Sequence, residues 1–328
     1  MRASRRLFLQ KASAFTVIAA AGSTGGEERA EAKAKPTGFF ARRGLPMGIQ
    51  LFTLDPLLSQ DLDGGLRAVA RAGYVVVETG NFYGRSARDF KAALDRVGLR
   101  CISIGASAEP GGGPNEPTLM HGTKDVITNA RAVGATNVMM PAPLQPTDWK
   151  PRPGVTGGEA MLDLFEALTE DDYRRTADFL NSRARELMAA GITLTYHNHY
   201  FEFINLPNGS TGYDILLAQT DPKLVHFELD IGWAQAASVD PLVLLAKHKG
   251  RFRQMHVKDS AGMMKAFGRV LPRFVAIGSG VARLREILPA AYDAGVRQFF
   301  VERDPPPEKV DLVPDIERSA RYLAMLNA

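Results

Sequence analysis

The chain has 328 residues, 45% of them hydrophobic and 23% charged, with 40 basic against 36 acidic side chains and a formal net charge of +4. That is ordinary globular composition, long enough for one large domain. The basic residues form no Lys/Arg run with interleaved aromatics, which excludes a nucleic-acid footprint, and the one cysteine, Cys101, excludes a disulfide framework and a cysteine metal cluster.

The first 35 residues stand apart. Ser4-Arg5-Arg6-Leu7-Phe8-Leu9-Gln10-Lys11 resembles a twin-arginine (Tat) export signal. The apolar segment behind it, Ala12 to Ala21, is too short to span a membrane, so no stable membrane anchor is expected. Ala30-Glu31-Ala32 then offers a small-x-small cleavage site. The resemblance implies a periplasmic or secreted protein that meets the Tat translocase during export, with residues 36–328 as the folded domain.

Within that domain one pattern repeats. Met47-Gly48-Ile49-Gln50-Leu51-Phe52-Thr53 reads as a buried strand, followed by a helix carrying Leu62, Leu66, Val69 and Ala70 at helical spacing and stopped by Gly73. Further strands are expected over 74–79, 99–104, 136–140, 192–198, 223–230, 252–258 and 298–302. Helices are expected over 90–97, 121–133, 173–190, 212–218, 241–248, 281–294 and 312–326. Glycine punctuates the helix-to-strand joints at Gly73, Gly98, Gly134, Gly191 and Gly295. The strands are continuous apolar runs, as in parallel sheets covered on both faces. Eight βα units point to an α/β fold, a single-domain (β/α)8 TIM barrel, rather than an open doubly wound sheet. No Gly-x-Gly-x-x-Gly opens the first helix. The long segments 106–119, 141–170 and 259–280 follow strands and read as loops shaping a pocket on the barrel's C-terminal face. Cys101 falls in an apolar strand and reads as a small core residue.

A barrel places its chemistry at the C-terminal ends of its strands. Reading those ends gives Gln50 and Thr53, then Glu78, then His197 and His199 with Glu202 beyond, then Glu228 and Asp230, then His256 and Lys258, then Glu302. Alternation puts His197 and His199 on one strand face. Each polar strand end alone is more often structural than catalytic. Their convergence is the argument, because inside a barrel these groups point at one volume. Buried carboxylates repel one another without a cation. A carboxylate set with one or two imidazoles suits one divalent metal ion (Mn, Co, Zn or Mg) and not a structural zinc site. Of the other histidines, His121 lies beside a glycine and His248 on a helix.

The chain resembles the xylose isomerase-like TIM barrel superfamily, in particular its sugar phosphate isomerase/epimerase group, over about residues 45–327. The likeness rests on Gly73-Tyr74-Val75-Val76-Val77-Glu78, Tyr196-His197-Asn198-His199 with Glu202-Phe203, Glu228-Leu229-Asp230-Ile231-Gly232-Trp233, His256-Val257-Lys258-Asp259, Ile277-Gly278-Ser279-Gly280-Val281 and Val301-Glu302. It implies that Asp230, His256 and Glu302 are metal ligands. The family's strand-five carboxylate has no direct counterpart. Either His197 takes its place, or His199 or Glu202 reaches in; the strand position favours His197. The resemblance also implies enolisation beside a sugar carbonyl, ending in epimerisation, isomerisation or elimination. Glu302 would double as base, and His199 and Lys258 would be acid/base or substrate contacts. Glu78 and Glu202 would bind hydroxyls, and Trp233 would stack on a sugar face or sit in the core. An exported enzyme of this kind is expected to act on an unphosphorylated keto-sugar, 3-keto-glycoside or inosose, with elimination favoured. The competing classes are a non-catalytic periplasmic sugar-binding barrel and an endonuclease IV-like metal nuclease. A small-molecule carbohydrate is the expected partner, and a homo-oligomer stays open.

Overall fold

A computed structural model of the chain describes residues 38–108, 118–306 and 310–328. Its strands run β1 (Gly48–Gln50), β2 (Val76–Thr79), β3 (Arg100–Gly105), β4 (Asn137–Met140), β5 (Thr193–His197), β6 (Val225–Asp230), β7 (Phe252–Val257), β8 (Asp259–Ala266), β9 (Arg269–Val275) and β10 (Gln298–Val301). Eight of them close into a barrel in the order β1-β10-β7-β6-β5-β4-β3-β2. Every neighbouring pair in it is parallel. The remaining two, β8 and β9, form an antiparallel pair between the seventh and eighth barrel strands. The barrel and the single-domain reading of its sequence therefore hold. The export leader read over residues 1–35 lies outside the described residues.

The helices are α1 (Phe39–Arg43), α2 (Asp55–Leu58), α3 (Leu62–Ala72), α4 (Ala87–Arg96), α5 (Lys124–Val133), α6 (Gly157–Glu166), α7 (Glu170–Ala189), α8 (Gly212–Gln219), α9 (Ile231–Ala236), α10 (Pro241–Lys247), α11 (Leu284–Ala294) and α12 (Val313–Met325). Their ends follow from local chemistry. Asp61 caps α3 by accepting from Gly64 N, and Gly73 ends it at φ 102°. Thr169 and Asp172 make a reciprocal capping box at the start of α7, the longest helix. Outward strand residues such as Val77, Val138, Leu194, Phe227, Leu229 and Met255 are buried beneath the helices.

The barrel interior is unusually polar. Midway along it, one end of the Asn137 side-chain amide lies 2.6 Å from Gln254 Oε1, 2.9 Å from Thr195 Oγ1 and 3.1 Å from Ser103 Oγ. Branched aliphatic residues ordinarily fill this layer. Here it forms a bonded floor, and the charged residues stand above it.

The structure departs from the sequence reading in three places. The first strand ends at Gln50, because the Gln50 side chain accepts from Phe52 N and turns Leu51–Leu54 into a 3-10 helix. Thr53 is thus not a strand residue; its hydroxyl accepts from Arg303 N at 3.1 Å. The segment 141–170 carries α6, and most of 259–280 is the β8–β9 hairpin rather than open loop. Phe267 and Gly268 turn that hairpin with φ of 50° and 69°, the left-handed pair that a tight hairpin turn requires.

Candidate metal centre

The register of the barrel brings the charged strand ends together. His197 pairs with Glu228 across β5 and β6, Asp230 with His256 across β6 and β7, and His256 with Phe300 across β7 and β10. Alternation along β6 puts Glu228 and Asp230 on the same inner face. Glu302 follows β10 and is fixed by its N–H donating to Val257 O at 3.1 Å.

Asp230 is the pivot. Its Oδ1 accepts from Trp233 N at 2.8 Å, capping α9, so the carboxylate cannot rotate freely. Its backbone is clamped by Asn198, which accepts from Asp230 N at 3.0 Å and donates to Asp230 O at 3.2 Å. This explains the asparagine between the two histidines of Tyr196-His197-Asn198-His199. The other oxygen, Oδ2, is buried and makes no hydrogen bond. It lies 3.9 Å from His197 Nε2, 3.7 Å from His256 Nδ1 and 3.1 Å from Lys258 Nζ. Glu302 Oε2 completes the ring, 2.8 Å from His256 Nδ1 and 2.9 Å from Lys258 Nζ.

This donor set fits a divalent ion. Ligand atoms of His197, Asp230 and His256 lie within 4.8 Å of one another, all buried, and a second such group joins Glu78, Glu228 and His256. Two imidazoles and two carboxylates with an unsatisfied buried oxygen among them are the composition of a transition-metal or magnesium site. Burial, helped by His256 and His199, holds His197 well below the usual imidazole range, which leaves it the neutral form a ligand must take. Burial opposes charge on His256 too, but Glu228 and Glu302 outweigh it and raise this imidazole well above its ordinary value. Glu302 is held well below the carboxylate range: burial works against its charge, and Lys258 and His256 prevail.

A cavity of about 230 Å³ opens over the ring. His197, His199, His256, Lys258 and Glu302 line it, together with Gln50, Asp55, Asn81, Tyr83 and Asp304. His199 stacks on Phe201 at 5.0 Å between ring centroids, and burial lowers its imidazole to about 4, with Lys258 adding to the effect. Lys258 is fully buried yet hydrogen-bonded to Asp304 at 2.9 and 3.0 Å and ion-paired with Asp230 and Glu302, and these carboxylates raise it above its usual value against the cost of burial.

Three expected substrate contacts lie elsewhere. Glu78 accepts from Gln50 Nε2 at 2.7 Å and from Ser103 Oγ, and sits 2.9 Å from His256 Nε2, behind the ring rather than in the cavity wall. Glu202 accepts from Tyr196 OH and from His199 N, both at 2.7 Å. Its carboxylate thus ties strand five to the turn that follows. Trp233 is half-buried, edge-on to Phe274 at 5.0 Å and 5.1 Å from Lys258 Nζ, outside the residues that line the cavity. Asp304 received no role from the sequence, although it stands two residues beyond Glu302. Glu228 received none either, although strand alternation puts it on the face of Asp230.

Comparison with known proteins agrees with this architecture. Residues 66–324 match the family model described as xylose isomerase-like TIM barrel. The inosose dehydratase of Geobacillus thermodenitrificans is 27% identical over 257 residues, covering 72% of this chain and 80% of that enzyme. Other inosose dehydratases match over only 61–62% of their own length. A sugar phosphate isomerase/epimerase from Parabacteroides distasonis superposes with a TM-score of 0.66 at 25% identity, covering 86% of this chain and 94% of that one. The IOLI protein with a bound zinc atom superposes with a TM-score of 0.60 at 14% identity, covering 86% and 98%, a likeness of fold. The closed parallel barrel, the convergent ligand ring and the match over residues 66–324 together make this chain a member of the xylose isomerase-like TIM barrel family.

Proposed function

We propose that the chain is a divalent-metal-dependent enzyme that enolises an unphosphorylated keto-sugar, keto-cyclitol or keto-glycoside and completes an elimination. The observation that carries this reading is the ring of His197, Asp230, His256 and Glu302 at the floor of a cavity where, among the described residues, Lys258 is the one lysine or arginine in the lining. The inosose dehydratases among its relatives support the elimination branch.

The four ring residues would hold the ion, which supplies Lewis acidity toward a substrate oxygen. The protein does the rest. Glu302 takes the proton from the carbon next to the carbonyl, breaking that C–H bond. Lys258, held as an ammonium by three carboxylates, stabilises charge that develops on oxygen and donates a proton to the departing hydroxyl. The C–O bond breaks, water leaves and a C=C bond forms. His199 presents a neutral ring to the substrate. One carboxylate base acts on one face, which suits elimination better than two-face epimerisation.

The test is to incubate the metal-loaded protein with inososes, 3-keto-glucosides and free ketohexoses in deuterated water. Dehydration or aglycone release with solvent deuterium incorporated is expected. Deuterium uptake without any leaving group would favour an epimerase or isomerase. Asp230→Ala and His256→Ala are expected to lose both bound metal and turnover; full retention of either would sink the metal reading.

The reading extends to location. Residues 1–35 act as a twin-arginine leader that carries the folded, metal-loaded barrel to the periplasm or outside. The Arg5-Arg6 pair with its short apolar tail supports this. A reporter fused to residues 1–35 should be exported, and Arg5→Lys with Arg6→Lys should retain it in the cytoplasm.

A further inference from the structure

The two imidazoles of the ring present different nitrogens to it. His197 turns Nε2 toward Asp230, and His256 turns Nδ1 toward Asp230 and Glu302. Their other nitrogens point back, and both reach the same atom. His197 Nδ1 and His256 Nε2 are each 3.1 Å from Glu228 Oε2. The two rings lie 4.6 Å apart between centroids, straddling that oxygen. Glu228 itself is fully buried.

We infer that Glu228 is a positioning residue shared by both imidazole ligands, the acceptor that fixes the tautomer and rotation of His197 and, together with Glu78, those of His256. The inference rests on the metal-site reading above. An imidazole that donates from one nitrogen offers its lone pair from the other, and carboxylates behind ligating histidines commonly set that choice. Two histidines normally need two such acceptors. Here the register of β5, β6 and β7 sets Glu228 behind both, with Glu78 as a second acceptor behind His256. Glu78 shares the His256 end, its Oε1 lying 2.9 Å from His256 Nε2, but it does not reach His197. Among the described residues, Glu228 is the one carboxylate shown within 3.1 Å of both distal nitrogens.

The arrangement also accounts for His197. At this strand end the resemblance leads one to expect a glutamate ligand. An imidazole there needs an acceptor behind it, and Glu228, directly opposite in register, supplies it. The carboxylate has in effect moved one step back from the ion, with the imidazole set between.

The experiment uses Zn²⁺ as the probe and the folded full chain. Zinc affinity is measured by chelator competition, and the ring tautomers are read by nitrogen-15 NMR. In the wild type, His197 is expected as the Nδ1–H tautomer with or without zinc. Glu228→Met, close in volume but without an acceptor, should weaken zinc binding roughly 10- to 100-fold and release His197 from that tautomer. Glu228→Gln, which keeps an acceptor oxygen, should retain the tautomer and lose less. If Glu228 acts through the imidazoles, the loss caused by Glu228→Gln should shrink in a His197→Ala background. The proposal is overturned if folded Glu228→Met binds zinc as tightly as the wild type, or if His197 keeps its Nδ1–H. If Glu228→Met does not fold, an equal Glu228→Gln loss in both backgrounds overturns it. A wild type that holds the tautomer yet binds no Zn, Mn, Co or Mg would instead sink the functional reading.

Discussion

Glu202 shows how the environment, and not the residue type, decides what a carboxyl group does. It sits next in sequence to a histidine-rich strand end, yet its two oxygens answer to Tyr196 OH and His199 N. Both bonds favour the charged form, but burial is the larger effect and lifts the group to about 8 from an ordinary 4.5. A carboxyl whose pKa rises on folding stabilises the protein fully below 4.5, and that contribution is lost as pH climbs through about 8. Glu202→Gln copies the neutral acid: its amide oxygen can accept from His199 N while its NH2 donates to Tyr196 OH. The variant should therefore hold a flatter melting temperature from pH 6 to 9, with an advantage over wild type at the alkaline end on the order of 3–5 kcal/mol. Parallel curves for the two proteins would contradict this. At the same scale, the ligand set shows what sequence can and cannot reveal. Asp230, His256 and Glu302 were legible because each ends an apolar strand. Glu78 and Glu228 end strands too, and nothing in the chain's order says that they stand behind the imidazoles; only the closed register does.

Elements that position the site owe their places to a few backbone contacts, and Asp259 makes the densest set. Its Oδ2 accepts from Gly278 N and Gly280 N, and its Oδ1 from Ala282 N and Ser260 N, at 2.9–3.0 Å. One carboxylate thus pins the segment after β9 to the root of the β8–β9 hairpin, beside Lys258. A Cβ on Gly280 would meet Asp259 Oδ1 at 2.2 Å, so the glycine is needed for the approach. Asp259→Ala leaves these amides to water, and charge-assisted bonds are each worth roughly 1.5–3 kcal/mol. A loss of about 2–4 kcal/mol is expected after water replaces part of them. It should appear as a lower melting temperature and faster proteolysis near 276–283, with the far-UV spectrum unchanged; resistance equal to wild type would refute the clamp. The Asp259 clamp was invisible in the sequence, where Ile277-Gly278-Ser279-Gly280 reads as open loop. The hairpin before it was hidden for a related reason: Phe267-Gly268 is not a usual turn dipeptide, although both residues take the positive φ that the turn demands. The eight barrel strands were legible because their outward residues are apolar and buried beneath the helices, while the polar residues between them face the barrel's interior.

Across the whole molecule, charge is distributed in two opposite ways. The chain is weakly basic, +4 overall, while its cavity is acidic: Asp55, Glu302 and Asp304 line it, and Asp230 lies beneath. Lys258, the one lysine or arginine among the described residues of the lining, is already ion-paired with Asp230, Glu302 and Asp304. A bound divalent ion would offset part of this negative charge, but among the described residues that line the cavity no further lysine or arginine is left to receive a phosphate. A phosphate dianion several ångströms from an excess negative charge meets a repulsion of roughly 1–2 kcal/mol at an effective dielectric constant near 40, and each 1.4 kcal/mol is a factor of ten in binding. The metal-loaded protein should therefore turn over a neutral ketone with kcat/KM about tenfold or more above that of its phosphate ester. The gap should narrow as ionic strength rises from 0.01 M to 0.15 M, where the screening length falls from about 30 Å to about 8 Å. Equal turnover of the two substrates at low salt would mean that the cavity does not select by charge, and a preference for the ester would contradict selection against a phosphate by the Asp55, Glu302 and Asp304 carboxylates.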